Sequence, residues 1–422
     1  MDQIFVQEID DVLKMRLPKK SSISGAEWVP CYPENTGALP LATSSTYRFR
    51  LPRRGYLCRT KGQTGPFFTT QFTTSANAEG EPWAFIRSMR ILIHGIEVHF
   101  NQFYNHTYGE WLKMKSSDWL RSDGQQMGIV SAYGASPFGA LGAIASGTYF
   151  NVPIPDNYSV LTSKNNALPL EYLDVVVEVT LNDHRNFLGA SADGSNLASA
   201  SVANLTLWLP ICFVDPEVDN AIKAKLDMAD ENDAEMFLMP VSDIRVDSQT
   251  YDFSVAGQKT FVFNSVSTMC RLLQAKISID ATNTTNYKTL TGLTGGVSQY
   301  QYKVDGKNVT QNAVTVASPA IAYPLYQDFV SAYNQINNDN IQMCPLAQAT
   351  FTGSAATNPA HGAVLASNFS MVANLDSVSK ELTGGQKLIN NLTLELTNAN
   401  TGAVSNLYLI QHSNRVLGLA RN

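Results

Sequence analysis

The sequence predicts an all-β protein made of two similar halves. Three observations carry the prediction. Short segments rich in Val, Ile, Thr, Phe and Tyr recur between clusters of Gly, Asn, Pro and Ser, as strands punctuated by turns do. Charged residues are 16% of the 422, against a usual share of about 25%, while hydrophobic residues reach 44%. Such a chain can fill a core, yet it brings little charge to its surface, as suits faces buried against neighbours. A helical stretch with an acidic end lies near the midpoint and divides the strands into two runs.

Taken in order, Met1–Lys20 reads as an amphipathic helix, with Ile4, Phe5, Ile9, Val12 and Leu13 at helical spacing and Lys14, Arg16, Lys19 and Lys20 behind them. Residues 1–24 therefore form an N-terminal amphipathic segment. It carries acids early and has no apolar run of signal-peptide type. The first half, 25–215, contains predicted strands at Thr46–Leu51, Phe67–Thr73, Met89–Phe100, Leu173–Leu181 and Leu205–Val214. A helix is predicted over Phe103–Met114, with Tyr104, Tyr108, Trp111 and Leu112 on one face. Asp215 followed by Pro216 marks the start of the connecting helix, 216–237, with Val218, Ile222 and Leu226 on one side.

The second half, 238–422, repeats the pattern. Its strands are predicted at Tyr251–Val255, Thr260–Val266, Leu272–Ile279, Gln299–Val304, Phe369–Val372, Leu392–Leu396 and Leu407–Gln411. Asp305-Gly306 is a hairpin turn, because such turns need positive φ. Pro324–Ile336 reads as another helix. The Gly- and Ala-rich stretch Tyr133–Gly147 reads as a long loop, as do Tyr287–Val297 and Thr352–Leu365.

A search for chemistry returns no catalytic, cofactor-binding or metal-binding residue, and no cofactor is predicted. The histidines His94, His99, His106, His184, His361 and His412 have no metal-ligand spacing. The Gly292–Gly296 run lacks the Lys that follows a phosphate-binding loop. Asp227–Glu235 is acidic but misses the spacing of a calcium loop. Glu178 and Glu395 each sit alone in a strand. Five scattered cysteines, Cys31, Cys58, Cys212, Cys270 and Cys344, read as free thiols of a reducing compartment. The basic run Arg48, Arg50, Arg53, Arg54, Arg59 and Lys61 reads as a solvated or subunit-contacting face. A net charge of −6 argues against a protein that wraps nucleic acid.

Three stretches carry a resemblance: YRFRLPRRGYL at Tyr47–Leu57, IHGIEVHFNQFYNHTYGEWLKM at Ile93–Met114, and NLYLIQHSNRVLGLARN at Asn406–Asn422. Together they resemble the double jelly-roll major capsid proteins of icosahedral DNA viruses, a group that spans nucleocytoplasmic large DNA viruses, virophages, polinton-like viruses and tailless membrane-containing phages. Arg53-Arg54-Gly55 matches that group's early turn, although Tyr56 stands where an Asp is usual. Ile93, Gly95 and Val98 match a later strand, from which His94 and His99 depart. Gly418, Leu419, Ala420 and Asn422 match its chain end.

The resemblance implies two tandem eight-stranded jelly rolls with a few short helices, and a structural protein rather than an enzyme. It implies homotrimeric, pseudo-hexameric capsomers, with penton and minor or cement proteins as further partners, an inner lipid membrane near the N-terminal segment, and no sequence-specific nucleic acid. The location it implies is the virion, after synthesis in the host cytoplasm. A carbohydrate-binding or adhesive β-sandwich is the alternative. It would require an aromatic platform, whereas Trp28, Trp83, Trp111, Trp119 and Trp208 are scattered in sequence and Trp208 falls in an expected core strand.

Overall fold

The computed structural model describes residues 23–419 except 36, 43, 44, 59–64, 113, 114, 116, 128–144, 157, 163–166, 191–196, 233–236, 264–269, 280–296, 311, 317–327, 329, 330, 332–369, 376–390 and 399–403. The predicted N-terminal helix and almost all of the Pro324–Ile336 helix lie outside the described residues, as do His361 and Cys344.

Residues before the connecting helix form β1 (Ile23–Cys31), β2 (Leu39–Pro40), β3 (Thr46–Arg50), β4 (Tyr56–Leu57), β5 (Phe67–Thr74), β6 (Ala78–Gly80), β7 (Ile86–Ile93) and β8 (Ile96–Asn101). Helices α1 (Tyr104–Leu112) and α2 (Ser117–Gln126) follow, then β9 (Tyr149–Pro153), β10 (Leu168–Pro169), β11 (Val175–Leu181), β12 (Leu188–Ala190) and β13 (Ala200–Val214). Helix α3 (Pro216–Asn232) leads into β14 (Phe237–Asp252), β15 (Gly257–Val262), β16 (Cys270–Ile279), β17 (Val297–Val304), β18 (Lys307–Asn308), β19 (Val314–Thr315), β20 (Met371–Asn374), β21 (Leu392–Asn398) and β22 (Val404–Leu419).

The strands before α3 make one sheet in the order β10-β4-β13-β5-β9, with β1 and β2 also on β13, and a second in the order β3-β11-β7-β8. Those after α3 make β14-β22-β16-β20 and β15-β21-β17-β18, with β19 on β17. Every pairing is antiparallel, so hairpins and long crossings suffice and no βαβ unit is needed.

Alternation explains what each strand buries. Tyr47, Phe49 and Leu51 go inside while Arg48 and Arg50 stay out, as period 2 demands. Phe49, Phe68, Phe72, Phe85, Phe150 and Phe187 fill the space between the first two sheets, with ring centroids 5.5–6.3 Å apart in tilted and edge-on pairs. Leu392, Leu394 and Leu396 do the same in the second half. Asp305 and Gly306 take φ of 49° and 79° and turn β17 into β18, as their sequence predicts.

Helix α3 docks where its apolar side predicts, with Ile222 and Leu226 buried. Asp219 in its first turn accepts hydrogen bonds from Tyr56 Oη (2.5 Å) and Tyr172 Oη (2.9 Å). Burial, and then the Asp219 carboxylate, push the Tyr56 hydroxyl well above its ordinary range.

Three expectations are corrected. Met89–Phe100 is a hairpin rather than one strand, because His94 and Gly95 both adopt positive φ (50° and 79°) and reverse the chain. Before the predicted loop, which reads as starting with Asp123-Gly124 ahead of Tyr133, the chain instead forms a helix over Ser117–Gln126 that includes both residues. Cys58 and Cys212 form a disulfide across 154 residues of sequence, since β4 and β13 are neighbours in register (Cys212 opposite Tyr56), which no sequence spacing reveals. Cys31 and Cys270 are free and buried, and burial, helped by Glu34, raises the Cys31 thiol to about 11.

Gly80 allows a close backbone approach. Its φ is 146°, and a Cβ there would meet Phe187 O at 2.0 Å and Leu188 Cα at 2.9 Å. Both are backbone atoms in or beside the β6–β12 pair, so no rotamer change relieves the clash. Gly80→Ala is expected to cost at least the roughly 1–3 kcal/mol of an overpacked site, read as a lowered Tm in thermal unfolding. A Tm equal to that of the parent would refute the packing described.

Candidate functional site

Helix α1 lies at the junction of the two halves. Asn101, at the end of β8, starts it: Asn101 Oδ1 accepts from the Phe103 backbone N–H (3.1 Å), and its amide donates to Thr107 Oγ1 (2.8 Å). The sequence predicts one apolar face, and that face is present. Tyr108 stacks on Trp83 with centroids 5.4 Å apart and donates to Pro153 O at 2.8 Å, while Trp111 meets Trp119 edge-on. The opposite side is buried too, so all nine residues of α1 are inside. That second side packs on the other half: Phe103 and His106 lie 5.1 and 4.0 Å from the Tyr408 ring of β22.

At the centre of this junction stands Glu110. Its Oε1 is 3.1 Å from Lys276 Nζ, and its Oε2 accepts from Gln274 Nε2 (2.6 Å) and Ser370 Oγ (2.9 Å). Lys276 and Glu110 are 0% and 1% exposed. Gln274 and Lys276 lie two apart on β16 and so point the same way, towards α1. A buried charge persists only when paired and hydrogen-bonded, and this one has three partners from the second half. Nearby, His412 packs edge-on to Tyr158. Burial lowers His412 to about 3, against a smaller upward pull from Glu110, so the imidazole is neutral at pH 7.

A second polar link joins β8 to β14. His99 Nδ1 lies 2.8 Å from Asp243 Oδ1, with both side chains 2–3% exposed. Asp243 Oδ2 takes Arg415 (3.1 Å) and Arg245 (3.3 Å), and Arg415 also donates to Val98 O (3.1 Å). Burial alone would raise the Asp243 carboxyl, but the His99 hydrogen bond and the two guanidiniums hold it below its ordinary value. Both clusters tie the halves together. The Glu110 cluster is closed to water, whereas the Asp243 cluster lines a cavity of about 350 Å³ with Glu97 and Asp247 at its rim, so its ion pairs face a solvent-accessible opening.

The residues weighed for chemistry are dispersed. Glu178 meets Arg48 and Arg90 on one sheet, and Glu395 meets Lys303 and Gln258 on another, so they are not a paired-acid site. Arg48 also faces Glu34, Arg50 faces Glu34 and Asp174, and Arg54 faces Glu27, so these three arginines of the basic run are charge-balanced on exposed faces; Arg59 and Lys61 lie outside the described residues. His184 bonds Leu41 O and Leu197 O. Gly292–Gly296 and the side chains of Asp227–Glu235 lie outside the described residues. Among the described residues, no three His, Cys, Asp or Glu side chains are grouped to hold a metal.

One feature reverses the reading of the tryptophans. Trp208 sits in β13 as expected, but it projects from the outer face of the sheet. There it joins Phe67 (6.2 Å, 13° between planes), and Trp28 packs edge-on to Phe67 at 5.2 Å. The register that sets Phe67 opposite Trp208, and β1 along β13, assembles three aromatics from three distant segments.

No protein-family model and no curated protein matches this sequence. Solved structures do resemble it. The chain aligns with VP54 of PBCV-1, in a structure fitted into a cryo-EM reconstruction of the virophage Sputnik, over 96% of each chain, with a TM-score of 0.59 and 11% identity. It aligns with a chain of the cryo-EM structure of the Sputnik virophage over 94% of this chain and 87% of that one, at TM-score 0.56 and 12% identity. The mavirus major capsid protein aligns over 97% and 95%, at TM-score 0.52 and 11% identity. The shared fold is the double jelly roll.

Proposed function

We propose that this double jelly-roll chain is the major capsid protein of an icosahedral DNA virus. Three copies form a pseudo-hexameric capsomer, because each copy brings two similar barrels to the threefold axis. In this reading 25–215 and 238–422 are the barrels, 216–237 the connecting helix, and 1–24 a segment turned to the particle interior or an inner lipid membrane. Capsomers tile the shell with penton and minor or cement proteins. In this reading the chain is made in the host cytoplasm, ends in the virion and has a structural rather than a catalytic role.

The observation that supports this reading best is the end-to-end correspondence with VP54 and the mavirus major capsid protein, in which nearly the whole of both chains takes part. A tile must hold its shape, and the buried Glu110 and Asp243 clusters fix one barrel against the other. Light scattering after size exclusion tests the proposal. The expected mass is about 138 kDa, three copies of the 46.1 kDa chain, persisting in mild denaturant. A monomer at every concentration up to that of a working assembly reaction would overturn it.

A further inference from the structure

We propose that the groove between the outer face of β13-β5-β9 and helix α2 is a binding site for a neutral oligosaccharide. The groove holds about 590 Å³, within the size range of small-ligand sites. Its two walls differ in chemistry. The floor is the aromatic row Trp28, Phe67 and Trp208, continued by Pro153, which lies opposite Phe67 in register. The wall is polar, with Asp123 and Gln126 from α2 and Asn151 from β9.

The wall is pre-arranged. Thr69 Oγ1 donates to Asn151 Oδ1 (2.9 Å), and the Asn151 amide donates to Gln126 Oε1 (3.2 Å). That chain occupies Gln126 Oε1 and leaves the amide nitrogen of this groove-lining residue as a donor for a ligand. Among the described residues Asp123 has no hydrogen-bond or ion-pair partner, so its carboxylate is an open acceptor.

An aromatic floor beside amide and carboxylate groups matches one ligand class. A pyranose ring shows C–H bonds on its face, which lie on aromatic rings, and hydroxyls at its rim, which both donate and accept. A hydroxyl can take the Gln126 nitrogen and give to Asp123 at once. An apolar helix or a dry subunit contact would instead cover the Asp123 charge without a partner, which costs free energy and is avoided at interface cores. Trp28, 39% exposed, stands at the rim where a longer chain would continue.

The inference goes beyond the capsid reading and does not depend on it. Its test is titration of the intact full-length protein with cellohexaose, chitohexaose and laminarihexaose. Binding is followed by tryptophan fluorescence and by saturation-transfer NMR, beside light scattering. At least one sugar is expected to bind with a sub-millimolar to millimolar Kd. Trp208→Ala should weaken binding at least tenfold, and Asp123→Asn and Gln126→Ala severalfold, with the solution mass unchanged. Should Trp208→Ala not fold, Trp28→Ala serves, since its ring is partly exposed. No binding of any of the three sugars overturns the proposal, as does binding that survives both tryptophan variants. If Trp208→Ala instead lowers the solution mass, the face is a contact between copies and the sugar site is refuted while the capsomer stands.

Discussion

Glu110→Ala is expected to lower the unfolding free energy by about 3–5 kcal/mol, the cost of leaving a buried charge without its counter-ion. Glu110 and Lys276 are essentially inaccessible to water, so the ammonium cannot replace the lost carboxylate with water without opening the junction. Gln274 and Ser370 lose this acceptor as well. Glu110→Gln should cost less, because the amide oxygen still accepts. The pair Glu110→Leu with Lys276→Met should recover most of the loss, since an apolar pair of similar volume often matches a buried ion pair. Urea unfolding of the parent, Glu110→Leu, Lys276→Met and the pair closes a double-mutant cycle, with Glu110→Ala and Glu110→Gln measured beside it. A loss below about 1 kcal/mol for Glu110→Ala would mean that the cluster is hydrated and the halves are not clamped there.

Acid should loosen the molecule through His412 before the carboxylates titrate. An unfolded histidine takes up its proton near pH 6.5, whereas burial holds folded His412 neutral down to about 3. Between those values the unfolded state binds one more proton, so stability is full above about pH 6.5 and falls as the pH drops towards 3. The slope is about 1.4 kcal/mol per pH unit, hence roughly 2–3 kcal/mol lost between pH 6.5 and 4.5. His412→Gln keeps a polar side chain of similar size and removes the proton site, so its stability should be flatter over this interval. Parallel pH profiles for the two proteins would show that His412 is hydrated in the folded state. Asp243 adds a loss only at lower pH, because its folded carboxyl titrates below its ordinary value, near 3.9.

Much of the fold was legible because local signals and period-2 burial agree. The Tyr47–Leu51 alternation, the Leu392–Leu396 alternation, the Asp305-Gly306 turn and the Asp215-Pro216 helix start each rest on nearest-neighbour physics, and each is in place. Tyr104, Tyr108, Trp111 and Leu112 marked one face of α1 correctly. The misses have a common cause. Nothing local signals that His94, rather than a Gly-Gly or Asn-Gly pair, opens a hairpin. Nor does a spacing of 154 residues hint that Cys58 and Cys212 adjoin.

The composition, the strand periodicity and the midpoint helix therefore decided the all-β class and its two-part plan, because the burial of alternate residues is written into each strand by itself. Tertiary structure alone decided which polar positions matter. The strand at Leu272–Ile279 and the helix at Phe103–Met114 were legible, but nothing in the sequence singled out Gln274, Lys276 or Glu110. Packing one half on the other brings all three into one buried cluster. Trp28, Phe67 and Trp208 likewise become one surface only when strands from opposite ends of the first half pair in register, since contact between residues so far apart in the chain is set by sheet order and not by spacing.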